Sequence, residues 1–547
     1  MTPRTLLRLL AIWSAALFVC GVIIFYAVRI DRTRAPAGPY VVSVWQRGER
    51  VARTVVASKP EHALEGDAQG RGAQRVIERI VDSAPIFGHS WLVLGHSVAP
   101  AQDGLSATFG GRTAYATPDD INKLEAYEFT FALGPASLIM GIDVNKVLTL
   151  LAHDLGTTPG ELLRQGTFRR FAVITDAPYP RKINEADITL EAIQTSVRDA
   201  GRFLARNQRR DGSFRYELNA VTGEDSPDYN YPRHSGATYF LARAGNQLHD
   251  AQLSRAGQRA GAFLKDRVTL RCGAHSCIGE GDQVDIGSAA LAILAYVELV
   301  TAGNEDYRAP TVDLAAFLRS QQRPDGEFKH FYSIRDQHPI DVQVEYYTGE
   351  AAFALARAHR ISGDPRDLDG ARRALSFLVK RSRWFLGSHY FWGAEHWTCQ
   401  ALADLWQRAP DHVALQFCLD WQAVNRNLQF SSPPAPPQYD GGISRGPFMA
   451  PRLTPTASRL EAAVATLEVA RAAGVAAPEV ALLENQIKRA FAFLLRYQYA
   501  PGPTHLMPKA RPLEGGFPGS ALDLHVRIDY PQHAGGALLR YWELEQR

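Results

Sequence analysis

Three histidines, His234, His396 and His533, each stand where a polar stretch gives way to a run rich in Gly, Ala and Ser. Imidazole changes charge near neutral pH, so a histidine held at the start of a helix is a candidate proton carrier. Glu345, Tyr346, Glu350 and Asp285 occupy similar places and add carboxyl and phenol groups. These seven are the candidate catalytic residues. Arg233, Arg459 and Arg527 can grip a carboxylate through two parallel hydrogen bonds. Tyr231, Trp392 and Trp397 offer flat faces that stack on sugar rings. These six are the candidate substrate-binding residues, and an acidic saccharide suits the set. Proton abstraction beside a uronate carboxylate would use Glu345, Tyr346 or a histidine as base, with Arg233 or Arg459 neutralising the carboxylate. Hydrolysis would instead need two carboxylates about 5–10 Å apart, for which Glu345 or Glu350 with Asp285 are candidates.

The elements that hold these residues follow from a repeat. Phe-Leu recurs at Phe203, Phe263, Phe317, Phe377 and Phe493, and Phe417-Cys418 fills the gap in the series. Each copy lies in a helical segment with one charged face. Between these segments lie six small-residue segments: His234–Gly245, Asp285–Val300, Tyr346–His359, His396–Trp406, Ala457–Ala473 and His533–Leu544. Helices with little polar face belong inside an assembly, so the alternation predicts two concentric layers. Six hairpins at a period of about 50–60 residues predict a closed ring, an (α/α)6 toroid over 186–547. The long connections all run from outer to inner helix and so meet at one end, over the inner-helix N-termini.

The outer helices end in a shared pattern. Gln208, Gly212 and Phe214 have the spacing of Gln322, Gly326 and Phe328; the last copy reads Gln498, Gly502 and Thr504. The pattern resembles the Q-x3-G-x-aromatic repeat of terpenoid-cyclase toroids. The helical alternation resembles, more broadly, the α/α toroids of six-hairpin glycosidases, sugar epimerases and polysaccharide lyases. The resemblance implies a fold more than a chemistry, because toroids host many reactions. A terpenoid or lanthionine cyclase is the weaker relative. The nearest Asp-rich run, Asp364 to Asp369, reads as a loop on the outer layer, and the lanthionine cyclases' Trp-Cys-Tyr-Gly and Cys-His-Gly motifs are missing.

Residues 38–185 read as a small α+β domain, with strands at 40–45, 53–57, 89–94, 105–109, 113–115 and 170–174 and a helix over 145–155. The 20 residues from Leu9 to Val28 carry no charge and would span about 30 Å as a helix, the thickness of a bilayer core. Residues 1–37 are therefore expected to be a membrane anchor and linker. Cys272/Cys277 and Cys399/Cys418 form two even pairs, as suits an oxidising compartment. The expected location is a single-pass inner-membrane protein with its bulk in the periplasm. The alternative for the first pair is a zinc site made by Cys272, His275 and Cys277; no metal or cofactor is otherwise expected. With 60 Lys+Arg against 57 Asp+Glu, a nucleic-acid partner is disfavoured.

The expected function is therefore a membrane-anchored envelope enzyme acting on an acidic saccharide, as epimerase, lyase or hydrolase. The alternative is a non-catalytic assembly factor that binds a glycan or peptide in the mouth of the ring.

Overall fold

The computed structural model describes residues 38–547, apart from 70–71, 132–137, 178, 385–395, 434, 436, 447–448 and 502–503. The uncharged run at 9–28 and Trp392 lie outside the described residues. Among those described, no helix is long and apolar enough to cross a membrane. The chain forms two compact units, one ending at Ala177 and the other holding Pro178–Arg547 with Arg47–Glu49.

The first unit is built on a six-stranded sheet. Its strands are β1 (Tyr40–Gln46), β2 (Glu49–Val56), β3 (Ala73–Ile86), β4 (Asp103–Phe109), β5 (Arg112–Ala116) and, last in sequence, Thr167–Thr175, in the order β2-β1-β3-(167–175)-β4-β5. The segment 89–94, read above as a strand, starts a helix instead, α1 (Trp91–Ser97). Ser90 caps it, its hydroxyl accepting from the Val93 amide at 3.2 Å. This local cap overrides the strand propensity of Trp91 to Leu94. Three short helices complete the unit: α2 (Pro118–Lys123), α3 (Val144–Leu155) and α4 (Pro159–Gln165).

Among the described residues the second unit holds twelve long helices in alternation. The outer ones are α5 (Leu190–Arg206), α7 (Ala251–Arg267), α9 (Arg308–Gln321), α11 (Pro365–Trp384), α13 (His412–Asn427) and α15 (Ala477–Tyr497). The inner ones are α6 (Tyr231–Gln247), α8 (Ile286–Thr301), α10 (Tyr347–Ser362), α12 (His396–Leu405), α14 (Leu453–Ala472) and α16 (Asp529–Glu545). Residue pattern separates the layers. In α7 the buried residues are Leu253, Ala256, Gly257, Ala260, Gly261 and Leu264, a single stripe at helical spacing. In α8 every residue from Ile286 to Val300 is buried. Each inner helix packs on the next, and α16 packs back on α6, so the ring closes. Closure needs a small residue: a methyl at Gly535 of α16 would fall 2.3 Å from the Phe240 ring of α6.

The Gln-Gly pattern turns out to tie neighbouring outer helices together. Gln208 Nε2 donates to the Gly212 carbonyl at 3.2 Å and to the Ala256 carbonyl on α7 at 3.0 Å. Gln322 does the same with Gly326 and with Gly370 on α11. Gln429 repeats it with Gly441 and with Gln486 on α15. Gln498 links α15 back to Ser196 on α5. The glycine partner of Gln498 is Gly515, not Gly502, and Phe517 takes the aromatic place two residues later. An insertion in the last loop stretches the motif, which hid it at fixed spacing. Gly212 has φ +97°, and a Cβ there would meet the Arg259 carbonyl oxygen at 2.3 Å, so glycine is required.

The C-terminal ends of the inner helices carry a belt of buried ion pairs. Arg243 of α6 pairs with Glu543 of α16. Arg357 of α10 joins Glu298 of α8 at 2.6 Å to Asp404 of α12 at 2.9 Å. Arg540 of α16 pairs with Glu468 of α14 at 2.9 Å. Burial opposes the charge on Arg357, but Asp404 and Glu298 outweigh it and hold the guanidinium above its ordinary value. Burial likewise pushes Asp404 up, and the arginines around it reverse this to hold it below the usual carboxylate range.

Candidate active site

Seven residues make two helical turns, so positions i and i+7 share a face about 10 Å apart along the axis. Counting back seven from Arg357, Glu468 and Arg540 gives Glu350, Glu461 and His533. These residues meet at the opposite end of the ring, around a cavity of about 490 Å³. The volume is within the range of about 300–1,000 Å³ common for small-molecule sites.

At its centre are two histidines and a glutamate from three successive inner helices. His533 Nδ1 lies 2.8 Å from Glu461 Oε2, and His396 Nε2 lies 3.6 Å from the same oxygen. The two imidazoles meet edge to face, with ring centroids 5.2 Å apart. Both line the cavity, while Glu461 sits behind them at 4% exposure. Burial pushes the Glu461 carboxyl above the usual carboxylate range. Burial would lower His533, but the neighbouring Glu461 carboxylate reverses this and holds it above its ordinary value. A hydrogen bond to Nδ1 also fixes which ring nitrogen faces the cavity, namely Nε2. Trp397 packs on His396 at 4.4 Å between centroids and holds that ring in place.

Arginines dominate the remaining charge. Arg233, Arg445, Arg452, Arg459 and Arg527 line the cavity, against the carboxylates of Glu350 and Asp529. Asp529 is gripped by Arg527 at 2.6 and 3.0 Å and approached by Arg233 Nε at 3.3 Å. Burial raises Asp529, and these arginines reverse that and hold it ionised below its usual range. Arg452 is paired with Asp523 at 2.7 Å. Arg459 is 2% exposed; its Nε donates to Asn425 Oδ1 at 2.9 Å and its Nη1 to the Pro455 carbonyl at 3.3 Å. Its Nη2 is buried without a hydrogen-bond partner among the described residues.

Of the residues singled out from sequence, Glu350, Tyr346, His396 and His533 line this cavity, as do Arg233, Trp397, Arg459 and Arg527. Glu345 is not in the lining but is near enough to support the charge on Arg459. Three others are placed elsewhere. His234 is wholly buried, bonded to the Tyr229 hydroxyl at 2.6 Å and the Ala260 carbonyl at 3.1 Å. Burial pushes it down to about 4, so it is a neutral core residue. Asp285 is the N-cap of α8, accepting from the Ser288 amide at 2.7 Å. Tyr231 bonds Glu280 away from the cavity. The zinc alternative fails on chemistry: Cys272 and Cys277 are joined as a disulfide, so neither offers a thiolate, and His275 instead faces Asp313 at 3.2 Å. Cys399 and Cys418 form a second disulfide, between α12 and α13.

Glu461 is the central residue that the sequence reading did not select. Helix starts were the guide, and Glu461 lies two turns inside α14. Its signal is the spacing of Glu461 and Glu468, two acids seven apart in an Ala-rich buried run.

A closed ring of six inner and six outer helices with a polar mouth defines an α/α toroid of the six-hairpin type. No protein-family model and no curated protein sequence matches the chain. Among solved structures it is similar to D-mannose isomerase, at 13% identity and a TM-score of 0.49, over 65% of this chain and 97% of that one. It is similar to cellobiose 2-epimerase from Bacillus thermoamylovorans B4167 at 12% identity and a TM-score of 0.49, over 65% and 98%. An unsaturated glucuronyl hydrolase specific for heparin aligns at 12% identity and a TM-score of 0.46, over 65% and 98%.

Proposed function

We propose that this chain is an enzyme that moves a proton on a carbon of an acidic saccharide, as an epimerase or, with a leaving group on the adjacent carbon, a lyase. The observation that carries this reading is the pair His396 and His533, which line the cavity from α12 and α16, with Glu461 of α14 buried behind both. A histidine backed by a carboxylate can take a proton, and a second imidazole beside it can return one. The arginines supply positive charge where an enolate would develop next to a substrate carboxylate. A hydrolase is less well supported. Asp529 is locked by two arginines and Asp285 caps a helix, which leaves Glu350 without a matching catalytic carboxylate among the described residues of the cavity.

The setting proposed for this activity is the envelope, on a membrane anchor at residues 9–28. The charge-free run supports the anchor and the two disulfides support an oxidising compartment.

The test is incubation of the full chain with uronate oligosaccharides in D2O. Deuterium bound to sugar carbon with inverted configuration, or unsaturated ends, supports proton transfer. New reducing ends with neither deuterium on carbon nor unsaturation would replace this reading with hydrolysis. Binding without any reaction would favour the non-catalytic alternative.

A further inference from the structure

The cavity holds positive charge at two places, one on α14, between the helices that carry the two histidines, and one where α16 meets α6. The first is Arg459 with Arg445. Arg459 starts from α14, is almost wholly buried, and has one guanidinium nitrogen directed to no protein acceptor. Arg445 lines the same cavity from the loop before α14 and makes no hydrogen bond or ion pair among the described residues. Burial and the like charge of Arg445 push Arg459 down to about 10, against the partial support of the Glu345 carboxylate. Two guanidiniums this close oppose one another unless an anion joins them.

The second place lies between α16 and α6. Arg527 and Arg233 share the single carboxylate of Asp529, which leaves one positive charge in excess. Arg233 spends Nε on Asp529 and Nη1 on the Tyr216 hydroxyl, and its Nη2 is uncommitted among the described residues. The Arg233 side chain is 36% exposed and lines the cavity, so an incoming group can reach it. The two foci therefore differ: one is buried and rigid, the other more open.

We infer that the cavity takes a glycan with at least two anionic groups on different sugar residues, one held by Arg459 and Arg445 and the other by Arg233 and Arg527. The substrate is then an acidic oligosaccharide or polysaccharide rather than a single acidic sugar. The inference rests on the proposed saccharide chemistry of the site and extends it to chain length and charge. The planar guanidinium fork fits carboxylate and sulfate oxygens alike, so either can be the anion.

The test uses calorimetry on the full chain at two salt concentrations. The probes are galacturonic, glucuronic and mannuronic acids, their tetramers, the same tetramers with carboxylates reduced to alcohols, and a sulfated neutral tetramer. An acidic tetramer should bind at least about tenfold more tightly than its monomer, weaken with salt, and lose binding on reduction. Arg459→Gln and Arg233→Gln should each cost about tenfold on that tetramer, and the double variant should reduce it to the level of the monomer. Preference for the sulfated tetramer over every uronate would name sulfate as the anion. Equal binding of monomer and tetramer, equal binding of reduced tetramer, or no binding of any acidic chain would overturn the inference. Failure of the proton-transfer reading looks different: tight tetramer binding with neither deuterium entering sugar carbon in D2O nor unsaturated ends. Arg459→Lys controls for folding, since it keeps the charge and should recover part of the lost affinity.

Discussion

The two ends of the helical ring are equally rich in buried charge and use it in opposite ways. At the C-terminal end of the inner helices Arg243, Arg357, Arg360 and Arg540 meet Glu298, Asp404, Glu468 and Glu543, so the belt is balanced within itself. At the N-terminal end Arg459 makes no ion pair among the described residues, and Asp529 is shared by two arginines. The same helices supply both ends, two turns apart. Residue type therefore does not separate scaffold from site, but charge balance does. A buried charge cancelled by its neighbours holds the ring together, and an uncancelled one is suited to a ligand of opposite sign.

The contrast can be broken by substitution, and the largest effect is expected at the mouth. His533→Ala should lower turnover by about 10²–10⁴-fold, the usual worth of a positioned acid or base, with thermal unfolding nearly unchanged. A comparable loss of stability would move His533 into the scaffold. At the base, Arg357→Met should do the reverse. It strands Glu298 and leaves Asp404 paired with Arg360 alone, and should cost about 3–5 kcal/mol in denaturant unfolding, with little change in turnover per folded molecule. Asp404 has a depressed folded value, so its stabilising share is present above the ordinary aspartate pKa and fades as pH falls through the folded one. Arg357→Met should therefore flatten the acid side of the stability profile.

Glu461→Gln tests the coupling inside the mouth. The carboxylate is what holds His533 above its ordinary value against burial. Without it burial prevails and the imidazole loses its proton at lower pH. The rising limb of the pH–rate profile, where His533 must become neutral, should then move to lower pH. An unmoved limb would assign it to another group. The smallest effect is expected from the outer layer. Gln322→Ala removes one hydrogen bond to the Gly326 turn and one to Gly370 of the neighbouring outer helix, and should cost about 1–2 kcal/mol of stability, with turnover intact.

Much of this arrangement is legible in the sequence because layer and end are written in periodicity. All-buried Ala-rich runs such as 286–300 mark inner helices, and the stripe in 251–264 marks an outer one. Residues at inner-helix starts, such as His396, His533 and Arg459, follow from the same reading. It misplaces residues whose role depends on rotation about the helix. His234 starts an inner helix just as His533 does, but its ring turns outward onto Phe263 at 4.9 Å between centroids. Position along the helix does not distinguish the two. Glu461 shows the converse: its depth in α14 hides it from any rule based on helix starts, and only its seven-residue spacing from Glu468 reveals its face. The Gln498–Gly515 tie was missed for another reason, since an inserted loop separates partners that are four residues apart at Gln208 and Gln322.

The central claim is that His396 and His533 are the two ends of one proton transfer. Deuterium exchange with His396→Asn and His533→Asn, each started separately from the two epimers of a uronate oligosaccharide that the unaltered chain interconverts, tests it most directly. Each variant should lose net epimerisation yet still exchange the carbon-bound hydrogen of one epimer only, and the two variants should favour opposite epimers. Exchange of both epimers by either variant, or loss of exchange from both by both, would contradict the assignment.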